Sequence, residues 1–169
     1  MRRSVVSQDN FASPAPISAW NDAYHWRMID YLADPWKRPQ DSLGAITYYS
    51  KDYAWVEDPT SPVDFWGNHD EGTLRAMGCG VGCSPQRIKP AAALLFTHLG
   101  IPLFLMGEEI YRYRGTQDTT PAGNDVGWDA NRSANTNLMK YYSGLIQLRR
   151  NHPGLRNANP DPGALGQWD

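Results

Sequence analysis

The stretch Phe65-Trp66-Gly67-Asn68-His69-Asp70-Glu71 decides the fold, because an asparagine, a histidine and two carboxylates follow directly on a short apolar run. Residues 63–66 predict a buried strand, and Gly67 loosens the backbone where the run turns polar. In a barrel of parallel strands, side chains at the carboxyl ends of the strands point into the active site. The stretch therefore predicts a strand that ends in functional polar groups.

A second apolar run, residues 100–106, closes on Gly107-Glu108-Glu109 and predicts another strand that delivers carboxylates at its end. Between the two strands, Arg87 to His98 predicts a helix that Gly100 ends, with Pro90 tolerated only near the first helical turn. Strand, helix and strand in this order predict a right-handed parallel crossover.

The flanking segments predict further elements. Asn21 or Asp22 is expected to cap a helix that runs to about Ala33, with one apolar face made by Trp26, Ile29, Leu32 and Ala33. Residues 41–53 fit either a helix or a loop. Residues 115–130 are rich in Gly, Asp, Asn and Thr and predict a loop of the kind that carries binding residues.

Four segments resemble the alpha-amylase family of glycoside hydrolases. Residues 63–70 are similar to the family's fourth signature region on the seventh barrel strand, and residues 100–108 to its segment on the eighth strand. Residues 141–153 are similar to the last barrel helix, and residues 20–24 to the segment before the sixth helix. Within the family, Thr73-Leu74 and the last helix are most similar to the pullulanase, isoamylase and debranching branch.

This resemblance implies an α/β fold, a partial (β/α)8 TIM barrel that contains roughly the sixth to eighth β/α units. Residues 1–18 are expected to form an extended connector, residues 19–153 the C-terminal portion of the catalytic barrel, and residues 154–169 an irregular tail. The chain's 169 residues are fewer than the ~250 of a full barrel.

The resemblance also implies roles for individual residues. Asp70 is similar to the family's third carboxylate, which binds hydroxyls of the sugar being cleaved and stabilises the oxocarbenium-like transition state. His69 is expected to donate a hydrogen bond to the same sugar. The remaining implied site residues are Asn68 and Asp125 in substrate binding and Glu108 and Glu71 in supporting positions.

Reasoning from the residues alone leaves alternatives open. Asp70 also suits the N-cap of a short helix near residues 73–75, and His69 suits a buried core position. Because adjacent parallel strands lie about 4.8 Å apart, Asp70 and Glu108 could form a complete acid/base pair. Arg112 and Arg114 are candidates to pair with these carboxylates.

A retaining glycosidase needs a nucleophile and a general acid about 5 Å apart. In the family these two carboxylates lie on the fourth and fifth strands, in motifs that this sequence lacks, and by the family's order the chain starts after both. The predicted function is therefore a portion of a retaining glycosidase acting on alpha-glucans such as starch, glycogen or pullulan. The alternative is a non-catalytic relic or docking subunit with weak sugar binding.

Charge and composition limit the classes of binding partner that we expect for this chain. A net charge of -2 gives no electrostatic case for nucleic acid or an anionic membrane surface, and no apolar run reaches the ~18 residues of a membrane span. The 12% aromatic residues suit either a core or stacking on sugar rings. The expected partners are an alpha-glucan and the N-terminal half of the barrel.

No cofactor and no metal site are predicted. The pair Cys79 and Cys83 lacks the spacing of a structural zinc site, and the glycines around it lack the third glycine of a dinucleotide loop, so a loop over the sugar site is expected there. Because no apolar segment follows Arg2 and Arg3, a cytoplasmic location is expected over secretion.

Overall fold

The computed structural model describes residues 20–33, 62–79, 84–115 and 125–156. The predictions for residues 1–18, 41–53 and 157–169 lie outside these ranges, as does the position of Cys83. Within the described residues, no helix is long and apolar enough to cross a membrane.

A short parallel sheet organises the described residues. Strand β1 (Val63–Phe65) pairs with strand β2 (Ile101–Leu103), and Val63 lies opposite Ile101. On the other side of β1, Trp20 forms a parallel bridge with Val63. These three segments lie side by side in the order of the chain, which confirms the predicted α/β class and the parallel crossover. The closed barrel and the hand of the crossover stay predictions.

Helix α1 (Asp22–Ala33) begins where the sequence predicts, because the Asn21 side chain accepts a hydrogen bond from the Tyr24 backbone N–H at 3.1 Å. Its predicted apolar face is partly wrong. The buried face contains Tyr24, Met28 and Leu32, spaced four residues apart, whereas Trp26 is 54% exposed. Trp26 lies about half a turn away from that face, whereas the predicted Ile29 does pack against the core.

Helix α2 (Pro85–Thr97) connects β1 to β2 and begins two residues before the predicted start. Pro85 occupies its first turn, and Pro90 is the sixth residue, in the second turn, so the prediction that Pro90 lies near the first turn is wrong. Pro90 and Gln86 are both exposed, and water can therefore bind the Gln86 carbonyl that loses its helical partner.

Two further helices follow β2 in the chain, and the second packs against α2. Helix α3 (Trp128–Ala134) begins inside the segment predicted as a loop up to residue 130, and helix α4 (Thr136–Asn151) begins five residues before the predicted resemblance to the last barrel helix. The core between α1, α2 and α4 is made of aromatic and aliphatic side chains, among them Trp66, Leu74, Leu95, Leu138 and Tyr142.

Buried polar contacts fix the amino end of the sheet. Asp64 is fully buried and binds the Asn21 side-chain amide at 2.7 Å and the His98 imidazole. Arg149 of α4 donates to the carbonyls of Phe96 (3.0 Å) and Gly100 (2.6 Å), immediately before β2. The carboxyl ends of β1 and β2, where the candidate site lies, are at the opposite end.

Candidate active site

The turn after β1 is held by Asn68. Its backbone carbonyl accepts a hydrogen bond from Gly72 N–H at 2.9 Å. Its buried side-chain oxygen accepts the N–H groups of Asp70 (2.8 Å) and Glu71 (2.9 Å). Asn68 therefore fixes the backbone conformation of Asp70 and Glu71. A contact between Asn68 and the substrate stays a prediction.

His69 and Asp70 extend from this turn into solvent, with 73% and 70% of their side chains exposed. The His69 Nε2 lies 3.3 Å from Asp70 Oδ1. This exposure excludes a core position for His69. A role of Asp70 as a helix cap is also disfavoured. The helical segment that follows begins at Leu74, and the Leu74 N–H donates to Glu108.

The end of the turn is fixed by the segment after β2. Thr73 N–H donates to the Arg114 carbonyl at 2.9 Å, and the Arg114 guanidinium donates to the His69 carbonyl at 2.7 Å. Gly72 has a φ of 99°, and a Cβ there would lie 2.5 Å from the Arg114 carbonyl oxygen. Only glycine fits at this position. The sequence-based expectation placed Arg114 beside the carboxylates and missed its carbonyl partner.

Glu108 lies beneath the turn and joins the ends of both strands. It is 3% exposed, and its carboxylate accepts hydrogen bonds from the Trp66 indole, from Leu74 N–H at 2.9 Å and from Leu105 N–H at 3.3 Å. Burial raises the pKa of Glu108 to about 8 despite these donors, which favour the ionised form, and the Glu109 charge adds to the increase. The geometry makes Glu108 a structural bridge between β1 and β2.

The remaining predicted residues occupy separate places. Because Glu108 is buried and occupied by three donors while Asp70 faces solvent, the two do not form the acid/base pair considered from the sequence. Glu71 is half-buried at the end of the turn, and Glu109 accepts the Gly107 N–H at 2.9 Å. Asp125 is exposed and accepts Gly127 N–H at 2.8 Å, just before α3.

The sequence did not predict that the side chains of Trp66 and Thr73 form hydrogen bonds in the candidate site. Trp66 is an apolar residue by pattern, and its single N–H gives no sequence signal of a carboxylate partner. Among the described residues, no group of three or more His, Cys, Asp or Glu side chains is arranged to hold a metal ion.

The raised pKa of Glu108 predicts a pH dependence of stability. The folded chain binds this proton more tightly than the unfolded chain, whose glutamate titrates near 4.5. The contribution of Glu108 to the free energy of unfolding should therefore be largest below pH 4.5 and fall as pH rises towards 8, at up to about 1.4 kcal/mol per unit. Urea denaturation of the wild type and of Glu108→Gln at pH 5 and pH 8 checks this. The variant should show the smaller difference between the two pH values, and equal differences would contradict the assignment.

Comparison with known proteins gives neighbours of this fold. No family model and no curated protein matches the chain. Among solved structures, apo pullulanase from Paenibacillus barengoltzii superposes with a TM-score of 0.69 and 22% sequence identity, over 86% of this chain and 26% of that chain. The described residues have the fold of part of a pullulanase.

Two further neighbours agree with this. Pullulanase from Anoxybacillus sp. LM18-11 complexed with maltotriose superposes with a TM-score of 0.67 and 20% identity, over 86% of this chain and 23% of that pullulanase. The maltogenic amylase from S. marinus gives a TM-score of 0.63 at 19% identity, over 82% of this chain and 19% of the amylase. The predicted resemblance to the alpha-amylase family is confirmed at the level of the fold. The chain spans about a quarter of the length of these pullulanases.

Proposed function

We propose that this chain supplies the sugar-binding end of a retaining glycosidase that acts on alpha-glucans. In this role Asp70 binds hydroxyls of the sugar being cleaved and stabilises the positive charge that develops on it, and His69 donates a hydrogen bond to the same sugar. Asn68, Glu71 and Glu108 keep the turn in place, and Asp125 contributes from the loop before α3. The nucleophile and the general acid come from other strands of the barrel.

One observation carries this proposal. His69 and Asp70 stand side by side and exposed on a turn fixed by Asn68, at the carboxyl end of a strand in a pullulanase fold. Anionic and hydrogen-bonding groups held rigidly at such a strand end suit recognition of a sugar and its charged transition state. Solved neighbours include pullulanases complexed with maltotriose, with maltotetraose, and with maltohexaose and alpha-cyclodextrin. More specifically, we propose that this glycosidase is a debranching enzyme.

The free edge of β2 supports docking with the remaining strands of a barrel. Ile101 of β2 is 44% exposed, and within the described residues no strand pairs with this edge. A groove of about 370 Å³ lies between the segment after β2 and α4, and its lining includes Phe104, Tyr142, Ile146, Glu109 and Arg150. An unpaired strand edge favours the addition of a parallel strand and its helix. The occupant we propose is the polypeptide equivalent to the rest of the pullulanase barrel.

The second candidate function is a docking subunit without catalysis, and it rests on the same free edge. In that case the chain binds glucan weakly or not at all, and its main activity is association with another polypeptide. Binding of sugar by the His69-Asp70 turn separates the two candidates.

Titration of the chain with maltotetraose, followed by NMR signals of His69 and of the Asp70 amide, tests the proposed function. We expect saturable shifts at these signals, and we expect Asp70→Asn to weaken binding by roughly tenfold, the value of one charge-assisted hydrogen bond. Asp129→Asn, at an exposed position on α3, serves as the matched control and should bind as the wild type does. Shifts spread over the surface, or equal affinity in both variants, would favour the docking subunit.

A further inference from the structure

We propose that Arg114 is a positioning residue that sets the orientation of His69 and Asp70. Its side chain is buried, and its guanidinium Nη1 donates to the His69 carbonyl at 2.7 Å. Arg114 does not belong to the strand that carries the turn. It lies after β2, and the turn at the end of one strand is therefore oriented by a residue that follows the neighbouring strand.

The contact acts on the peptide unit between the two exposed side chains. The His69 carbonyl and the Asp70 N–H belong to one planar peptide group. Arg114 holds this group by its oxygen, and the Asn68 side chain holds it by its N–H at 2.8 Å. With both ends of the plane fixed, rotation of the peptide is blocked. The directions in which His69 and Asp70 leave the backbone are fixed with it.

The backbone of Arg114 closes the other end of the same turn. Its carbonyl accepts Thr73 N–H at 2.9 Å, and its N–H donates to the Thr73 hydroxyl at 3.1 Å. The Gly72 backbone approaches so closely that a Cβ would lie 2.5 Å from the Arg114 oxygen. One residue thus contacts the first and the last part of the turn, and the close approach leaves no space in which the turn could shift.

Arginine suits this role for a physical reason. A guanidinium donates several hydrogen bonds in a fixed planar arrangement, and a charged donor to a carbonyl is stronger than a neutral one. Lysine keeps the charge and one donor direction but loses the planar arrangement. The effect of this positioning on glucan binding rests on the proposed function, whereas its effect on the turn itself does not.

Hydrogen exchange of individual backbone amides in the full chain tests the positioning role. The measured quantity is the exchange rate of the Asp70 amide divided by that of Leu145, a buried residue of α4 that reports global unfolding. We expect Arg114→Met to raise this ratio roughly ten- to hundredfold, since a charged hydrogen bond is lost. Arg114→Lys should restore part of the protection.

Arg149→Met is the matched control. Arg149 is buried to a similar extent and also donates to backbone carbonyls, but at the amino end of the sheet. It should raise the exchange rate of Leu145 by lowering global stability and should not raise the ratio, because the hydrogen bonds of the Asp70 turn are left intact. If Arg114→Met does not fold, the ratio in Arg114→Lys decides. An unchanged ratio in the Arg114 variants, or an equal change in Arg149→Met, would overturn the positioning role.

Maltotetraose affinity provides the second measurement. If the wild type binds, Arg114→Met should weaken binding by at least tenfold and Arg114→Lys by less, whereas undiminished affinity in Arg114→Met overturns the role in sugar binding. If the wild type does not bind, the proposed function fails, and the exchange ratio still decides whether Arg114 positions the turn.

Discussion

Replacement of Glu108 by alanine is expected to lower the free energy of unfolding by roughly 3 to 6 kcal/mol, because two buried donors and one partly buried donor lose their acceptor at once. The Trp66 indole N–H and the backbone N–H groups of Leu74 and Leu105 all donate to the carboxyl group of Glu108. Domains of this size are typically stable by about 5–15 kcal/mol in total. The substitution therefore removes a large share of the stability.

Urea denaturation followed by circular dichroism measures this loss, and Glu109→Ala is its matched control. Glu109 has the same chemistry one residue further along, but it is only half-buried and accepts the N–H of Gly107. Its loss should lower stability by about 1 kcal/mol, the usual value of one hydrogen bond. Equal losses in the two variants would show that Glu108 is not the bridge between the strands.

Replacement of Asp70 by asparagine is expected to lower glucan cleavage by on the order of 10²- to 10³-fold in the completed enzyme, in which the chain is joined to the strands that carry the nucleophile and the general acid. The substitution keeps the size of the side chain and removes the charge to which the proposed function assigns stabilisation of the transition state. Because Asp70 is exposed, stability should change little.

Release of reducing sugar from pullulan and soluble starch measures this effect, with Asp129→Asn as the control of equal charge change. The chain alone should release no sugar, because a retaining glycosidase needs a nucleophile and a general acid, and the proposed function assigns both to other strands of the barrel. Turnover by the chain alone that disappears in Asp70→Asn would contradict the proposed division of the site. An Asp70→Asn enzyme with full activity would remove Asp70 from the mechanism.

The sequence predicted those parts of the fold that local pattern determines. The cap at Asn21, the two short strands and the helix between them follow from capping chemistry, apolar runs and glycine or proline positions. The face of α1 was predicted less well, because hydrophobicity places Trp26 inside while contact with the core selects Tyr24 and Met28. The early start of α3 was missed because Trp128 follows a run of residues typical of loops.

In the candidate site, too, local sequence pattern predicted some features and missed those that depend on tertiary contacts. His69 and Asp70 were predicted to follow the end of a strand, and the structure places them on the turn after β1, whereas their functional roles stay predictions. Glu108 and Glu109 are indistinguishable by sequence, yet one is buried and the other half-exposed, since only the first faces Trp66 and Leu74. The partner of Arg114 could not be predicted, because a backbone carbonyl carries no signature in the residue type.

The shared carboxylate of Glu108 has a consequence for protein engineering. Residues 65–74 and residues 105–114 are tied together by Glu108 on one side and by Arg114 on the other. A chimera that takes only one of these segments from another protein of this fold would pair mismatched partners across both contacts. The two segments form one transplantable unit, and grafts that move them together should fold where single-segment grafts fail.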